Sequence, residues 1–282
     1  MGTTFDYVVI GHVTRDLADG DFTVGGTVSY AARTAYALGC RVGVITSAST
    51  DLDLDPVLDG VVVSRLAAPN TTTFENTYTP DGRHQVIHGV AERLTPQQVP
   101  ADWRATVIHL GPVAGECDPA LASRFEDAFL GLSPQGWMRR WDQQGRITAG
   151  PWAEAAELLT RADAVVLSEE DVASDPTLIE RFAAQTRVLV KTQASAGCTV
   201  YVNGRSRHVA APVKMHAADA TGAGDIFAAA FFIWLQRSGD PWAAARFANC
   251  IAGQSVTRIG LAGTPTAKEA AHCRQAVENR TG

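Results

Sequence analysis

The sequence has no run of Lys and Arg, and its 24 basic residues are outnumbered by 30 acidic ones, for a net charge of −6. That excludes a basic footprint of the kind that grips a nucleic-acid backbone, although a few local donors can still hold one compact anion. No apolar stretch reaches membrane-spanning length; residues 226–235 are apolar but too few. The first residues, Met1-Gly-Thr-Thr-Phe-Asp6, lack the basic start and apolar run of a secretion signal. The five cysteines (Cys40, Cys117, Cys198, Cys250, Cys273) are scattered and show no CxxC spacing. The expectation is therefore reduced, mostly buried thiols in a cytoplasmic protein, with neither a disulfide frame nor a zinc site. Two nucleotide-binding signatures are also missing. No Gly-x-x-x-x-Gly-Lys-Ser/Thr loop occurs, and the first strand is followed by Gly11-His-Val-Thr-Arg-Asp16 where a dinucleotide enzyme would carry Gly-x-Gly-x-x-Gly.

What is present is an alternation of short apolar runs with helix-like segments across 282 residues, enough chain for a large α/β domain. Strands are expected at 7–10, 41–46, 106–110, 164–167 and 188–190, with helices near 29–38, 120–129, 152–160, 177–185 and 267–279. This rhythm predicts a mostly parallel sheet covered by helices on both faces. One region breaks it: residues 71–79 and 85–90 read as strands around Pro80-Asp81-Gly82, a hairpin turn. Either a flap leaving the main sheet or an extension of its edge fits that pattern. A second hairpin is expected over 138–147, turning at Gln143-Gln144-Gly145.

The segment that carries chemistry is Asp219-Ala-Thr221-Gly222-Ala223-Gly224-Asp225, followed by an apolar, Ala-rich helix. Small residues admit close approach by a ligand, and the first turn of a helix offers unpartnered N–H groups and a partial positive charge. The result suits a phosphate. Asp225 does not belong in a loop that only binds an anion, because its carboxylate repels one. It belongs if it takes a proton from an attacking hydroxyl while a phosphoryl group rests on the amides of residues 223–225. On residue type alone a helix-capping role and a base role for Asp225 weigh evenly; the glycines on both sides and the apolar helix behind favour the base.

In these residues, and in their order along nearly the whole chain, the sequence resembles the ribokinase-like (PfkB-type) carbohydrate kinase family. Gly222-Ala-Gly-Asp225 after Asp219-Ala-Thr matches that family's C-terminal motif. Asp16 resembles the aspartate that binds substrate hydroxyls, and Gly25-Gly26 the glycine pair that shapes the substrate pocket. Ser168-Glu-Glu-Asp171 stands where the family has Asn-x-x-Glu, Lys191-Thr192 to Gly197 resembles the nucleotide-side strand and turn, and Asn249 with residues 255–260 resembles the wall of the adenine pocket.

The resemblance implies one kinase domain over 1–282, a three-layer α/β/α sandwich with a small β lid built from about 16–24 and 71–90. It implies Mg-ATP as donor and a sugar or cyclic polyol as acceptor. Asp225 would be the base, with Gly222, Ala223 and Gly224 as its anion hole. Asp16, Gly26, Thr27, Phe74, Asn76, Glu116 and Arg139 are candidates to meet the acceptor. Ser168, Thr192, Gly197, Thr221 and Asn249 are candidates for the nucleotide. Asp171 and Asp219 are candidates for metal: Mg²⁺ at the first, and K⁺ at the second together with residues 255–262. Exposed lid strands in such a fold can pair two copies into a homodimer. A nucleoside kinase of the same fold, with Phe74 or Tyr78 stacking a base, and a non-catalytic sugar- or nucleotide-sensing protein stand as alternatives.

Overall fold

The computed structural model describes residues 2–18, 20–79, 82–125, 127–212 and 217–279. Its centre is a nine-stranded sheet. The strands are β1 (Thr3–Ile10), β4 (Val42–Ser49), β5 (Val62–Ala68), β8 (Trp103–Leu110), β9 (Phe129–Leu132), β12 (Ala164–Ser168), β13 (Val188–Thr192), β14 (Cys198–Val202) and β15 (Arg205–Val209). They lie in the order β15-β14-β13-β12-β9-β8-β1-β4-β5. All neighbours are parallel except β13-β14-β15, which run as an antiparallel meander.

Side chains alternate across this sheet as the strand period demands. Tyr7 and Val9 of β1 enter one core with α1 (Thr27–Ala37), α4 (Ala223–Ser238), α5 (Pro241–Ser255) and α6 (Ala267–Glu278). Val8 and Ile10 enter the opposite core with α2 (Ala155–Arg161) and α3 (Leu178–Ala183). The molecule is thus the three-layer α/β/α arrangement. Helix α4 is buried along most of its length because it is apolar nearly all round. It stops at Gly239, left-handed at φ 67°. Asp240 then caps α5 through the N–H groups of Trp242 and Ala243, with Pro241 in the first turn.

A second sheet stands apart from the first: β2 (Thr14–Ala18), β3 (Asp21–Gly25), β6 (Thr72–Thr79) and β7 (Gly82–Gly89), in the order β3-β2-β6-β7. The 71–90 hairpin therefore pairs with β2 and leaves the main sheet. The Pro80-Asp81 part of its turn lies outside the described residues, as does the Tyr78 side chain. The roots of the small sheet meet at His12. Its ring bonds Thr72 Oγ1 (2.7 Å) and the Glu92 carbonyl (2.8 Å), while its N–H donates to Glu116 Oε1 (2.8 Å). The second expected hairpin is β10 (Arg139–Trp141) with β11 (Ile147–Ala149).

Two expectations are corrected. Residues 120–129 do not form a helix: a short 3₁₀ turn, Pro119–Ser123, capped by Asp118, is followed by strand β9. In that strand Gly131 lies flat beneath Phe232 of α4, where a Cβ would come within 2.5 Å of the ring. The cysteines are not all reduced either. Cys250 of α5 and Cys273 of α6 form a disulfide, while Cys40, Cys117 and Cys198 are free and buried. Two helices packed side by side bring together sulfurs 23 residues apart, a proximity no local spacing reports. Thiol titration of the denatured, unreduced chain should accordingly read three of the five cysteines. Reduction should lower stability by about 2–4 kcal/mol through release of the closed loop, measured as a drop in Tm.

Candidate active site

Parallel strands of an open α/β sheet deliver their following loops to one edge, and ligands settle there. Here β1 leads into His12–Asp16, β8 into residues 111–116, β9 into 133–139, β12 into Ser168–Asp171 and β13 into Thr192–Gly197. The N-terminus of α4 reaches the same edge. Gly222, its cap residue, is left-handed (φ 75°), and a Cβ there would lie 2.3 Å from the Tyr30 ring. Both the backbone conformation and the tyrosine beneath it require glycine at this position.

Asp225 follows in the first turn of α4. Its half-buried carboxyl is hydrogen-bonded by the Thr27 side chain at the start of α1. Burial raises its pKa from the ordinary carboxylate value to about 6. The Thr27 bond and the Arg139 guanidinium oppose the rise, whereas Asp171 and Asp16 add to it. Tyr30, almost fully buried, is pushed above its ordinary range by burial and then by Asp16, Asp225 and Asp219, so its phenol stays protonated. Asp16, Asp171, Arg139, Tyr30 and Tyr7 thus share electrostatic interactions with Asp225.

The amides of the turn are fewer than expected. Ala223 N–H already donates to the Ala220 carbonyl (3.2 Å). Gly224 and Asp225 N–H have no acceptor among the described residues and remain for an anion.

Several candidates prove to have their polar atoms engaged. Glu116 is buried and accepts from the N–H groups of His12, Val113 and Ala114 at 2.7–3.0 Å, so it holds the loop and does not face a substrate. Thr27 serves Asp225. Phe74 is 3% exposed and packs with Ile87, Val113 and Ala114, which leaves it no open face for a base or a ring. Asn249 is buried and donates to the Val209 carbonyl (2.9 Å), tying α5 to β15. Asp219 accepts from Thr221 N–H and Gly260 N–H, both at 2.8 Å. Burial raises its pKa, yet those bonds hold it below the ordinary value. It clamps the 219–225 turn to the 255–263 loop.

Other candidates keep less fully engaged polar atoms or lie on the loops after the strands. Asp16 lies on β2 against Gly25, whose missing side chain leaves room for its Oδ2. Gly26 precedes α1 at φ 87°. Asn76 accepts from Gln85 across the β6–β7 ladder (2.9 Å). Ser168 and Thr192 stand side by side at the ends of β12 and β13. Gly197 closes the turn after β13 and approaches the Val209 carbonyl. Asp171 forms a reciprocal cap with Ser168 and accepts from Gln135 (3.0 Å). Among the described residues no group of three His, Cys, Asp or Glu side chains is close enough to hold a metal by itself.

Two neighbours of the site residues were not anticipated. Tyr30 lies one helical turn after Gly26 on α1, a helix that also carries Arg33 and Tyr36, and its spacing from that glycine was the usable signal. Gln135, which donates to Asp171, had none.

The raised pKa of Asp225 has a stability consequence. Its ionised form is disfavoured in the fold, so the penalty is absent below the unfolded value near 3.9 and complete above about 6. Asp225→Asn should therefore raise Tm at pH 8 and leave it nearly unchanged at pH 4, by calorimetry.

Comparison with known proteins gives this arrangement a family. Residues 69–268 match the family described as pfkB family carbohydrate kinase. A cytidine kinase from Thermococcus kodakarensis is 27% identical over 252 residues, covering 82% of this chain and 89% of the other. A pyrophosphate-dependent kinase in the ribokinase family, solved as a sulfate complex, superposes with TM-score 0.78 at 24% identity, over 95% of this chain and 99% of the other. Arabidopsis thaliana ribokinase with ribose and ATP superposes with TM-score 0.72 at 17% identity, over 96% and 99%. With most of its length inside the matched region and its fold that of ribokinase, the chain belongs to the pfkB family of carbohydrate kinases.

Proposed function

We propose that this kinase transfers a phosphoryl group from Mg-ATP to a hydroxyl of a sugar or cyclic polyol. The carrying observation is Asp225 itself: a carboxyl lifted to about pH 6 by burial, oriented by Thr27, and one residue from two free amides at a helix N-terminus. A base of that pKa is ionised at neutral pH yet basic enough to accept a proton from an alcohol in the transition state. Asp16 holds the acceptor hydroxyls. As the acceptor's oxygen bonds to phosphorus, the donor's bridging O–P bond breaks, and the acceptor's proton passes to Asp225. Gly224 and Asp225 N–H take the charge on the moving group.

The resident residues also fit Mg²⁺ in kind, offering hard oxygen donors at Asp171 and Ser168 with lone pairs left beside their cap bonds. The ion would neutralise donor phosphate charge. Ser168, Thr192, Thr221 and Gly197 line the donor side. One further assignment concerns K⁺ and Asp219. With both oxygens of Asp219 already bonded, a monovalent ion would rely on carbonyls of the 255–262 loop.

A second reading of each substrate has its own support. The cytidine kinase similarity favours a nucleoside acceptor. Superposition on pyrophosphate-dependent kinases, one complexed with a pyrophosphate analog and myo-inositol, favours pyrophosphate as donor and an inositol as acceptor.

A matrix of ATP and pyrophosphate against myo-inositol, ribose, fructose and cytidine, with Mg²⁺ and with or without K⁺, separates these readings. We expect turnover with a cyclic polyol or sugar; turnover with cytidine alone would move the chain to the nucleoside class. Asp225→Asn should lose at least about 10²–10⁴-fold in kcat. In the wild type, kcat/KM should fall about tenfold per pH unit below about pH 6, as the base becomes protonated. Near-normal turnover in Asp225→Asn would remove that residue from the base role.

A further inference from the structure

Three polar side chains form a line across the α4 face of the main sheet and have no part in the reaction above. The Tyr7 hydroxyl of β1 is bonded to Nδ1 of His109 in β8 (2.6 Å), and His109 Nε2 to Ser133 Oγ at the end of β9 (2.8 Å). Tyr7 and His109 are fully buried, and Ser133 is half-buried. Two glycines make room for the ring. Gly131 leaves the space that Phe232 fills, and Phe232 meets the His109 ring edge-on, 5.0 Å between centroids. A Cβ on Gly111 would lie 3.4 Å from His109 Nε2 and 2.3 Å from Thr27 Cγ2. A single glycine therefore separates this line from Thr27, the donor to Asp225.

The hydrogens along the line are placed by what each group can reach. Among the described residues the Tyr7 hydroxyl has His109 as its one partner, so its hydrogen goes to Nδ1. Nε2 then carries the ring's hydrogen and donates to Ser133 Oγ. The other tautomer would leave a fully buried phenol hydrogen without an acceptor, whereas Ser133 can turn to solvent. A charged ring would do the same, and burial opposes it by pushing the His109 pKa down to about 3. Ser133, already accepting from Nε2, keeps its own hydrogen to donate, and among the described residues nothing takes it.

Ser133 lies two residues beyond Gly131 in extended backbone, hence on the same face and about 7 Å nearer the carboxyl edge. Asp225 precedes Phe232 by seven residues on α4, hence on the same stripe and about 10 Å nearer that edge. The Ser133 hydroxyl thus opens beneath the Asp225–Thr27 pair, with only the small side chains of Ala228 and Ala229 on the helix between. Its N–H is bonded to the Leu110 carbonyl (2.9 Å) on the β8 side, next to Gly111 and Thr27, while Ser168 and Thr192 lie across β9. A neutral hydroxyl donor suits another hydroxyl; phosphate favours charged donors.

We propose that Ser133 binds the acceptor by donating to a hydroxyl other than the one phosphorylated, with His109 and Tyr7 as its positioning residues. This rests on the reading of Asp225 as base for a polyol or sugar. The attacking oxygen is not the partner, because a bond donated to it would draw on the lone pair it needs. An acceptor without the partner hydroxyl leaves the Ser133 hydrogen unpaired and loses affinity.

Imidazole ¹⁵N spectra of the full chain at neutral pH test the line, with His109 identified by the signals lost in His109→Gln. Nδ1 should be bare and Nε2 protonated; a protonated Nδ1 overturns the assigned direction. Should His109→Gln fail to fold, Tyr7→Phe, which removes only a hydroxyl, identifies the ring by its moved Nδ1 signal.

Kinetics test the contact, using the acceptor that turns over in the matrix above and its monodeoxy analogues that keep the phosphorylated hydroxyl. Ser133→Ala should raise acceptor KM about three- to tenfold with kcat within about twofold, and Ser133→Thr should recover most of the loss. One analogue should lose nothing further in Ser133→Ala, which identifies the partner hydroxyl. An unchanged acceptor KM, or equal losses with every analogue, overturns the contact. Tyr7→Phe should also raise acceptor KM, and should add nothing in the Ser133→Ala background; additive losses overturn the positioning role. If Asp225→Asn turns over normally, the underlying reading falls; if it is inactive and Ser133→Ala is normal, this proposal alone falls. If no acceptor turns over, the polyol or sugar reading falls and the contact with it.

Discussion

Everything chemical in this molecule depends on the meeting of two helix N-termini at the carboxyl edge of the sheet. Helix α1 places Thr27 against Asp225 and Tyr30 under Gly222. Helix α4 contributes the free amides and the carboxylate. Neither helix end is a site alone. An N-terminus attracts anions generally. In the reaction proposed above, attraction becomes catalysis because the second helix orients the carboxylate through Thr27 and places Tyr30 beneath the turn. The main sheet fixes both helices from one side through a continuous core, with Tyr7 and Val9 at its centre, so their separation is set by packing.

The small sheet is joined to this edge by polar bonds and by limited apolar contacts. His12 ties together β2, β6 and the segment after β7, and Glu116 holds His12 to the 111–116 loop. Such a root has a defined direction but lacks a thick apolar core. Among the described residues, the small sheet meets apolar neighbours in the cluster of Phe74, Ile87, Val113 and Ala114 and through Val24 of β3, which packs on the larger core. A connection of this kind opens at lower free energy than the two large cores on either side of the main sheet. The difference matters for an enzyme that must admit two substrates and then exclude water.

The fold was readable because strand runs and helices alternate in period, and the parallel sheet follows from that alternation. Strands β5, β14 and β15 were missed: β5 is a partly exposed edge strand whose valine run is broken by Ser64-Arg65, and β15 is mostly polar. The segment 120–129 was misread because its apolar residues fit a helical stripe, while Pro119 and the flat seat of Gly131 under Phe232 decide otherwise. At the site, the Gly222–Asp225 turn was legible as the glycine-flanked, acid-bearing start of an apolar helix. The fates of Glu116, Asn249 and Asp219 were not legible. Each is a polar residue in the right segment, and only the backbone partners folded against it show that its hydrogen-bonding capacity is already taken. The Cys250–Cys273 bond was hidden for the same reason, since helix packing alone creates the proximity.

Asp225 and Glu116 make that distinction general. Both are carboxylates at the same edge of the same sheet, and both are shielded from bulk solvent. Glu116 accepts from three backbone N–H groups, and its place is set by the chain around it. Asp225 has one side-chain donor, two neighbouring carboxylates and one guanidinium at the rim. Burial without a full set of donors is unfavourable to an ionised acid, and a proton from an alcohol is what relieves it. The number of fixed donors around a buried carboxylate therefore separates the residue that builds this edge from the one that can react there. By that measure a second hydrogen-bond donor introduced beside Asp225 would stabilise the fold and weaken the proposed base together.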